Sequence, residues 1–307
     1  MNTEWIAVDW GTSNLRAWGI AANDQQTFAA SSPLGMGKLT PDAFPRVLEE
    51  VVGKELPADS PPVDVLICGM AGARQGWMEA PYLDVPADLT GLAFASVQPA
   101  IPDARLKPRI LPGVCQKLAG AEDVMRGEET QILGLSAMIP GFAGVAIHPG
   151  THSKWIAVNG RRIERFATAM TGEIFEVMRT HSVLRLTVSA NAAGEERDAG
   201  FAAGLPTGID APEKLTSLLF KVRTGALLSG RHPDWCAGFL SGLLIGAEIG
   251  GHRDWLASES DEIPLVGSST LCGLYAQGLA RIGVRTRIVD ATEATLAGLK
   301  AARRNLR

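Results

Sequence analysis

The feature that most constrains this chain is a short pattern that occurs twice. "WIAVDWGTSNLRAWGI" (Trp5–Ile20) sets two apolar runs around a polar, glycine-bearing tip, with Asp9 just before it and Gly11, Thr12 and Ser13 within it. "VAIHPGTHSKWIAV" (Val145–Val158) repeats the design: a short apolar strand, Gly150 and Thr151, then His152 and Ser153, then a strand containing a tryptophan. Gly11 and Gly150 stand 139 residues apart in a chain of 307, close to half its length. Two like strand–turn–strand units at half-chain spacing predict two domains of like topology, each presenting a polar tip. Glycine lets the backbone approach a ligand closely and take turn geometry closed to larger residues. Exposed N–H groups and hydroxyls at such a tip donate hydrogen bonds to phosphate oxygens. A pair of ordinary hairpins with Gly-Thr turns is the plain alternative.

A third element extends the pattern. "IPLVGSSTLCGLYAQGLARIGV" (Ile263–Val284) reads as a strand, a small-residue turn at Gly267 and Ser268, and an amphipathic helix whose unpaired N-terminal N–H groups face the strand end. Elsewhere, short apolar runs at 63–68, 145–147, 155–158 and 287–289 predict strands. Helical periods appear near 41–56, 127–137, 172–180, 213–228, 237–249 and 291–306. Such a mixture predicts α/β layers. The stretch Leu106–Val114, with Pro108 and Pro112, reads as extended loop. Gly238, Gly242, Gly246 and Gly250 recur every four residues, which on a helix gives one smooth face for close packing, with a nucleotide-base pocket as the second reading.

Composition narrows the function classes. A chain that is 46% apolar can bury a substantial core and lies in the size range where one core splits into two. Its formal net charge of -4 gives no electrostatic reason to expect a nucleic-acid or anionic-membrane partner. Four scattered cysteines without a CxxC read as reduced core thiols, and the N-terminus lacks a signal-peptide pattern. The expectation is a soluble cytoplasmic protein. Oligomeric state has no sequence signal.

With the two tips and the later strand–glycine–helix turn in place, the chain resembles the ATPase superfamily of actin, hexokinase and the heat-shock chaperones. That resemblance implies an α/β, two-domain actin-like (ribonuclease H-like) fold with a nucleotide cleft between its lobes. The expected division is 1–137 for the first lobe and 138–307 for the second, with the last helix free to cross back. It further implies ATP with Mg2+, Asp9 on the metal side, Gly11, Thr12 and Ser13 as the first phosphate loop, and Gly150, Thr151, His152 and Ser153 as the second. Gly267 and Ser268 would lie against the adenosine. One departure is His148, where many members carry an acidic residue.

"DVMRGEETQILGLSAM" (Asp123–Met138) opens a helix on Glu128 and Glu129. Acidic residues suit the positive end of a helix dipole, which is reason enough for both. The superfamily resemblance adds a role there for an acid that activates the nucleophile, and so picks Glu129 as the base with Glu128 second. "CGMAGARQGWMEAPYLDVPA" (Cys68–Ala87) gathers Arg74, Gln75, Trp77, Glu79 and Tyr82 into a glycine-broken loop. An arginine can hold a carboxylate by two parallel hydrogen bonds, and the other polar groups suit sugar hydroxyls. Thr171 and Glu173, in "TAMTGEIFEVMRTHSVL", form a second candidate substrate patch. A chance surface loop and an ordinary helix face are the plain readings of these two stretches.

These strings, together with "LPGV" (Leu111–Val114) and "MRGEETQILG" (Met125–Gly134), resemble the 2-dehydro-3-deoxygalactonokinase family along nearly the whole chain. The resemblance implies transfer of the ATP γ-phosphate to the 6-hydroxyl of 2-dehydro-3-deoxy-D-galactonate in galactonate catabolism. Residue spacing by itself reaches only an ATP-dependent kinase of a small polyol or sugar acid. The competing expectations are a kinase of another sugar acid, a phosphatase or polyphosphate hydrolase of the same fold, and a nucleotide-gated binding protein.

Overall fold

The computed structural model describes residues 2–256 and 262–306. In chain order its first half runs β1 (Trp5–Trp10), β2 (Leu15–Ile20), β3 (Gln26–Ser32), α1 (Phe44–Val52), β4 (Val63–Gly69), β5 (Tyr82–Asp84), β6 (Ala87–Asp88), β7 (Leu106–Ile110), β8 (Gly113–Gln116), β9 (Asp123–Met125) and α2 (Glu128–Met138). The second half runs β10 (Ala143–His148), β11 (Ser153–Asn159), β12 (Arg162–Ala169), α3 (Thr171–Thr180), α4 (Gly194–Asp210), α5 (Leu215–Ser229), α6 (Pro233–Gly251), β13 (Ile263–Gly267), α7 (Ser269–Arg281), β14 (Thr286–Asp290) and α8 (Ala291–Arg304). The chain divides into two compact units. Unit 1 is 1–143 with 158–166 and 291–307, and unit 2 is 144–157 with 167–290.

Unit 1 is built on a five-stranded sheet ordered β3-β2-β1-β4-β7. β1, β2 and β3 form an antiparallel meander, and β4 and β7 extend it parallel to β1. One face buries Ile6, Val8 and Trp10 against Phe44, Val47 and Leu48 of α1. β7 corrects the reading of Leu106–Val114 as loop: Leu106–Ile110 is a strand, with Pro108 opposite Val65, and Gly113–Gln116 is another. The proline is tolerated because β7 is the edge of the sheet, where its missing N–H breaks no ladder. A small sheet ordered β5-β8-β9 lies in the same unit.

Unit 2 repeats the plan. The second large sheet has six strands ordered β14-β13-β10-β11-β12-β6, and the first five repeat the arrangement of meander and parallel additions read from the other end. The four residues between β10 and β11 allow only an antiparallel hairpin, whereas β13 and β14 run parallel to β10. This duplicated order is that of the two-domain actin-like ATPase fold. The glycine stripe of α6 packs on Gly200, Gly204 and Gly208 of α4. A Cβ on Gly242 would stand 2.5 Å from the Phe201 carbonyl, and one on Gly204 would stand 2.3 Å from the Phe239 carbonyl. The α4 helix itself is absent from the sequence expectations, because its glycines and Pro206 mask the apolar period.

No helix among the described residues is long and apolar enough to cross a membrane.

Candidate active site

In unit 1 the first tip is held from behind by backbone. Gly11 N–H closes the turn on Asn14 O at 2.9 Å, while the carbonyls of Gly11, Thr12 and Ser13 accept the N–H groups of Met36, Gly37 and Gly35 at 2.9, 2.9 and 3.2 Å. A Cβ on Gly35 would stand 2.3 Å from Ser13 C, so only glycine permits this approach. The carbonyls being occupied, the exposed side of the tip presents the N–H groups and hydroxyls of Thr12 and Ser13. Gly11, Ser13 and Asp9 line a cavity of about 610 Å³ with Arg16, Ser31 and Ser32. Asp9 is partly buried, which raises its carboxyl pKa, and Arg16 opposes the shift through its charge and by donating Nη2–H to Oδ2 at 2.9 Å.

The same unit brings Asp9 and Glu129 to one place in the fold. Cys68 is the register partner of Asp9 on the neighbouring strand, and its buried thiol lies within the fields of both carboxylates. Beyond it, Gly69 adopts φ +91°. A Cβ there would stand 3.6 Å from Asp9 Oδ1, and the Cβ position of Gly127 lies 3.5 Å from Gly69 Cα. The turn at Gly127, with φ +113°, starts α2. Glu129, fully buried, folds back so that its Oε2 accepts Gly127 N–H at 2.7 Å, and its Oε1 accepts the Thr130 hydroxyl at 3.1 Å. Burial, and then the neighbouring Glu128 charge, push its pKa up to about 7. Glu128 accepts Arg126 N–H at 3.1 Å.

Sequence reasoning passed over Arg126. Its buried guanidinium donates from Nη2 to the Ala80 carbonyl at 2.8 Å and lies 4.3 Å above the Tyr82 ring. It thereby fixes the end of the Cys68–Ala87 loop beside the Glu128–Glu129 helix start. Within that loop Arg74 is exposed and paired with Glu79 at 3.4 Å, Gln75 is exposed, and Trp77 turns inward to stack on Phe44 with ring centroids 6.3 Å apart.

Unit 2 holds a cavity of about 670 Å³ whose lining includes Gly150, Thr151, Thr171, Ser241, Ser268 and Tyr275. Three elements meet there. The tip after β10 is clamped by the start of α3: Glu173 N–H donates to Thr151 O at 3.0 Å, and a Cβ on Gly172 would stand 2.5 Å from Gly150 O. Glu173 also pairs with His152 through its carboxylate. The turn after β13 lies alongside, with a Cβ on Gly267 standing 3.4 Å from Pro149 O, and Ser268 caps α7 by accepting Leu271 N–H. Thus Thr171, expected on the sugar acid, shares a cavity with Gly150, Thr151 and Ser268. His148 is buried and therefore neutral, its pKa driven down to about 3 by burial and by Lys154.

Beneath this cavity lies a buried carboxylate that is absent from the sequence expectations. Glu248 accepts Trp155 Nε1–H at 2.8 Å, the Tyr275 hydroxyl at 2.6 Å, and the Thr171 hydroxyl. Tyr275 in turn bonds Ser153 at 2.8 Å. A lone glutamate inside an apolar, glycine-striped helix was the available signal.

A Mg2+ ion fits the unit 1 arrangement. It takes oxygen ligands, keeps several waters, and needs only one or two carboxylates besides phosphate. Asp9 offers one carboxylate at the cavity that it lines with Gly11 and Ser13. Among the described residues no cluster of three or more His, Cys, Asp or Glu could hold a metal by itself.

The chain is similar to known proteins over nearly its whole length. The profile of the 2-keto-3-deoxy-galactonokinase family matches residues 9–302. The "Probable 2-dehydro-3-deoxygalactonokinase" of Rhizobium meliloti (strain 1021) is 40% identical, over 98% of this chain and 96% of that protein. The 2-dehydro-3-deoxygalactonokinase of Escherichia coli (strain K12) is 34% identical, over 98% of each. The crystal structure of a Sinorhizobium meliloti protein carrying the same kinase name superposes with a TM-score of 0.91 at 39% identity, covering 98% of this chain and 99% of the other.

Proposed function

The chain belongs to the 2-keto-3-deoxy-galactonokinase family, and on that premise we propose how its residues divide the work of phosphorylating the sugar acid. The enzyme is an ATP-dependent kinase of 2-dehydro-3-deoxygalactonate. The observation that carries the assignment of roles is the convergence of Asp9 and Glu129 about Cys68 and Gly69.

Glu129 is the base, and Glu128 adjusts it. The terminal 6-hydroxyl of the substrate attacks the γ-phosphorus, the bond from that phosphorus to the bridging oxygen of ADP breaks, and the hydroxyl proton passes to Glu129. A carboxylate with a pKa of about 7 suits this step, being ionised in half the molecules at neutral pH while remaining a stronger base than an ordinary glutamate. Phosphoryl transfer asks little else of a base, since positioning and neutralisation of charge supply most of the acceleration. Mg2+, held on the Asp9 side, supplies neutralisation of phosphate charge when bound. In unit 1 Thr12 and Ser13 offer phosphate oxygens their donors, with Gly11 shaping the turn; in unit 2 Thr151 and His152 do so, with Gly150 shaping the turn. The unit 2 cavity takes the nucleoside, with Ser268 in its wall and Gly267 in the turn beside it. Arg74 and Gln75 meet the sugar-acid carboxylate, while Glu79 and Tyr82 meet its hydroxyls.

The test is ADP release measured with no acceptor and with a panel of 2-keto-3-deoxy acids, including the gluco epimer. ADP release that depends on an acid and is fastest with the galacto compound is expected. Equal release without any acid points to a phosphohydrolase and overturns the reading. Faster turnover of another acid reassigns the substrate.

A further inference from the structure

The hydroxyls in the unit 2 cavity have only one proton each, and the contacts determine where those protons go. Glu248 Oε2 is approached by the hydroxyls of both Tyr275 and Thr171, and Oε1 by the indole N–H of Trp155, which can only donate. Burial raises the Glu248 pKa, and the three donors oppose that shift by satisfying the ionised carboxylate. Trp155 is itself held, stacked on His252 with ring centroids 4.8 Å apart. With the Tyr275 proton on Glu248, the 2.8 Å contact to Ser153 must run from the serine hydroxyl to the tyrosine oxygen. Ser153 Oγ is then an acceptor, and Gly150 N–H points to it at 3.5 Å. Thr171 also lies within hydrogen-bonding reach of Tyr275, so its one proton stays inside the network on either partner.

The consequence is a polarity. Thr171 and Tyr275 both line the cavity, yet neither has a proton left to give. What Thr171 offers a ligand is oxygen lone pairs, whereas the buried Tyr275 oxygen already accepts from Ser153. Phosphate oxygens, which only accept, gain nothing there, whereas a ligand hydroxyl gains a hydrogen bond. Thr171 opens α3, the helix whose Gly172 and Glu173 clamp Gly150 and Thr151, so this acceptor sits next to the phosphate tip. In a nucleotide the donor closest to the phosphates is the ribose.

We propose that Glu248, acting through Thr171 and Tyr275, makes the cavity floor a reader of a ribose hydroxyl and so selects ribonucleotide over deoxyribonucleotide. Glu248 and Tyr275 are positioning residues here, and Thr171 makes the contact. This rests on the reading that the unit 2 cavity takes the nucleoside.

The experiment titrates the full chain with ATP, 2′-deoxy-ATP, 3′-deoxy-ATP and inosine triphosphate by calorimetry. The wild type is expected to prefer ATP to one of the deoxynucleotides by about tenfold, the size of one hydrogen bond near 1.4 kcal/mol. Thr171→Val and Glu248→Gln are each expected to shrink that ratio to within about twofold. Thr171→Val is close to isosteric and decides the matter should Glu248→Gln fail to fold. Equal wild-type affinity for ATP and both deoxynucleotides overturns the proposal, as does a preference that survives Thr171→Val. Discrimination only against inosine triphosphate, which lacks the amino donor, also overturns it. The nucleotide reading fails separately if Ser241→Trp, which fills the cavity, leaves ATP affinity unchanged.

Discussion

Glu129 Oε2 accepts the N–H of Gly127, two residues earlier, at 2.7 Å, so the carboxylate is locked onto the start of its own helix in a fully buried setting. Burial first, and the Glu128 charge second, raise its pKa to about 7. The kcat–pH profile should therefore fall on the acid side of about pH 7, approaching tenfold per unit once the carboxyl is protonated. Glu128→Gln removes the second cause and should move this limb to lower pH while leaving turnover at pH 8 within about threefold. A limb that stays in place in Glu128→Gln would contradict the electrostatic coupling.

The same shift appears in stability, with a definite sign. An unfolded glutamate ionises near its ordinary value of 4.5, whereas the folded Glu129 keeps its proton up to about 7. Between these values the native state binds more protons, so this group's contribution to stability falls as pH rises and levels off above 7. Glu129→Gln has no such loss. Urea unfolding of the two proteins should give similar stability at pH 4, and an advantage to the variant on the order of 3 kcal/mol by pH 8.

Arg74 and Glu79 form an exposed pair, which contributes little to the fold. Replacing Arg74 with Ala should change the melting temperature by no more than about 2 °C. It should raise KM for the sugar acid about tenfold or more, because a charge-assisted contact to a carboxylate is lost, while KM for ATP stays put. A rise confined to the ATP KM would move Arg74 out of the sugar-acid site.

The α4–α6 contact depends on glycine. A Cβ at Gly242 would stand 2.5 Å from Phe201 O and 2.7 Å from Leu205 N, both main-chain atoms that cannot swing aside. Gly242→Ala should destabilise by about 1–3 kcal/mol or more. Gly273, within α7, has nothing within 4 Å of its Cβ position. Gly273→Ala should be neutral or stabilise by up to about 1 kcal/mol. Thermal unfolding of the two variants checks the contrast.

Much of the fold was legible because the two hairpins carry strong local signals. A β-branched and aromatic alternation broken by Gly-Thr marks a strand pair in any context, and the half-chain repeat foretold the duplicated strand order. The glycine stripe of α6 foretold close packing for the same local reason. What escaped was set by tertiary context. β7 is a strand despite Pro108 because it occupies a sheet edge, a position no local window contains. Arg126 was unremarkable until the fold carried Ala80 and Tyr82 onto its guanidinium. Glu248 acquires meaning only when α3, β11 and α7 deliver Thr171, Trp155 and Tyr275 to its two oxygens. Trp77, by contrast, has the sequence context of a ligand wall yet stacks on Phe44.

The most direct measurement compares Glu129→Gln with the wild type at pH 8, following sugar-acid-dependent ADP release alongside ATP affinity. With Glu129 as the base, kcat should fall at least about a hundredfold while the ATP dissociation constant stays within about twofold. Undiminished turnover in the variant, or a loss of turnover matched by an equal loss of ATP binding, would contradict that role.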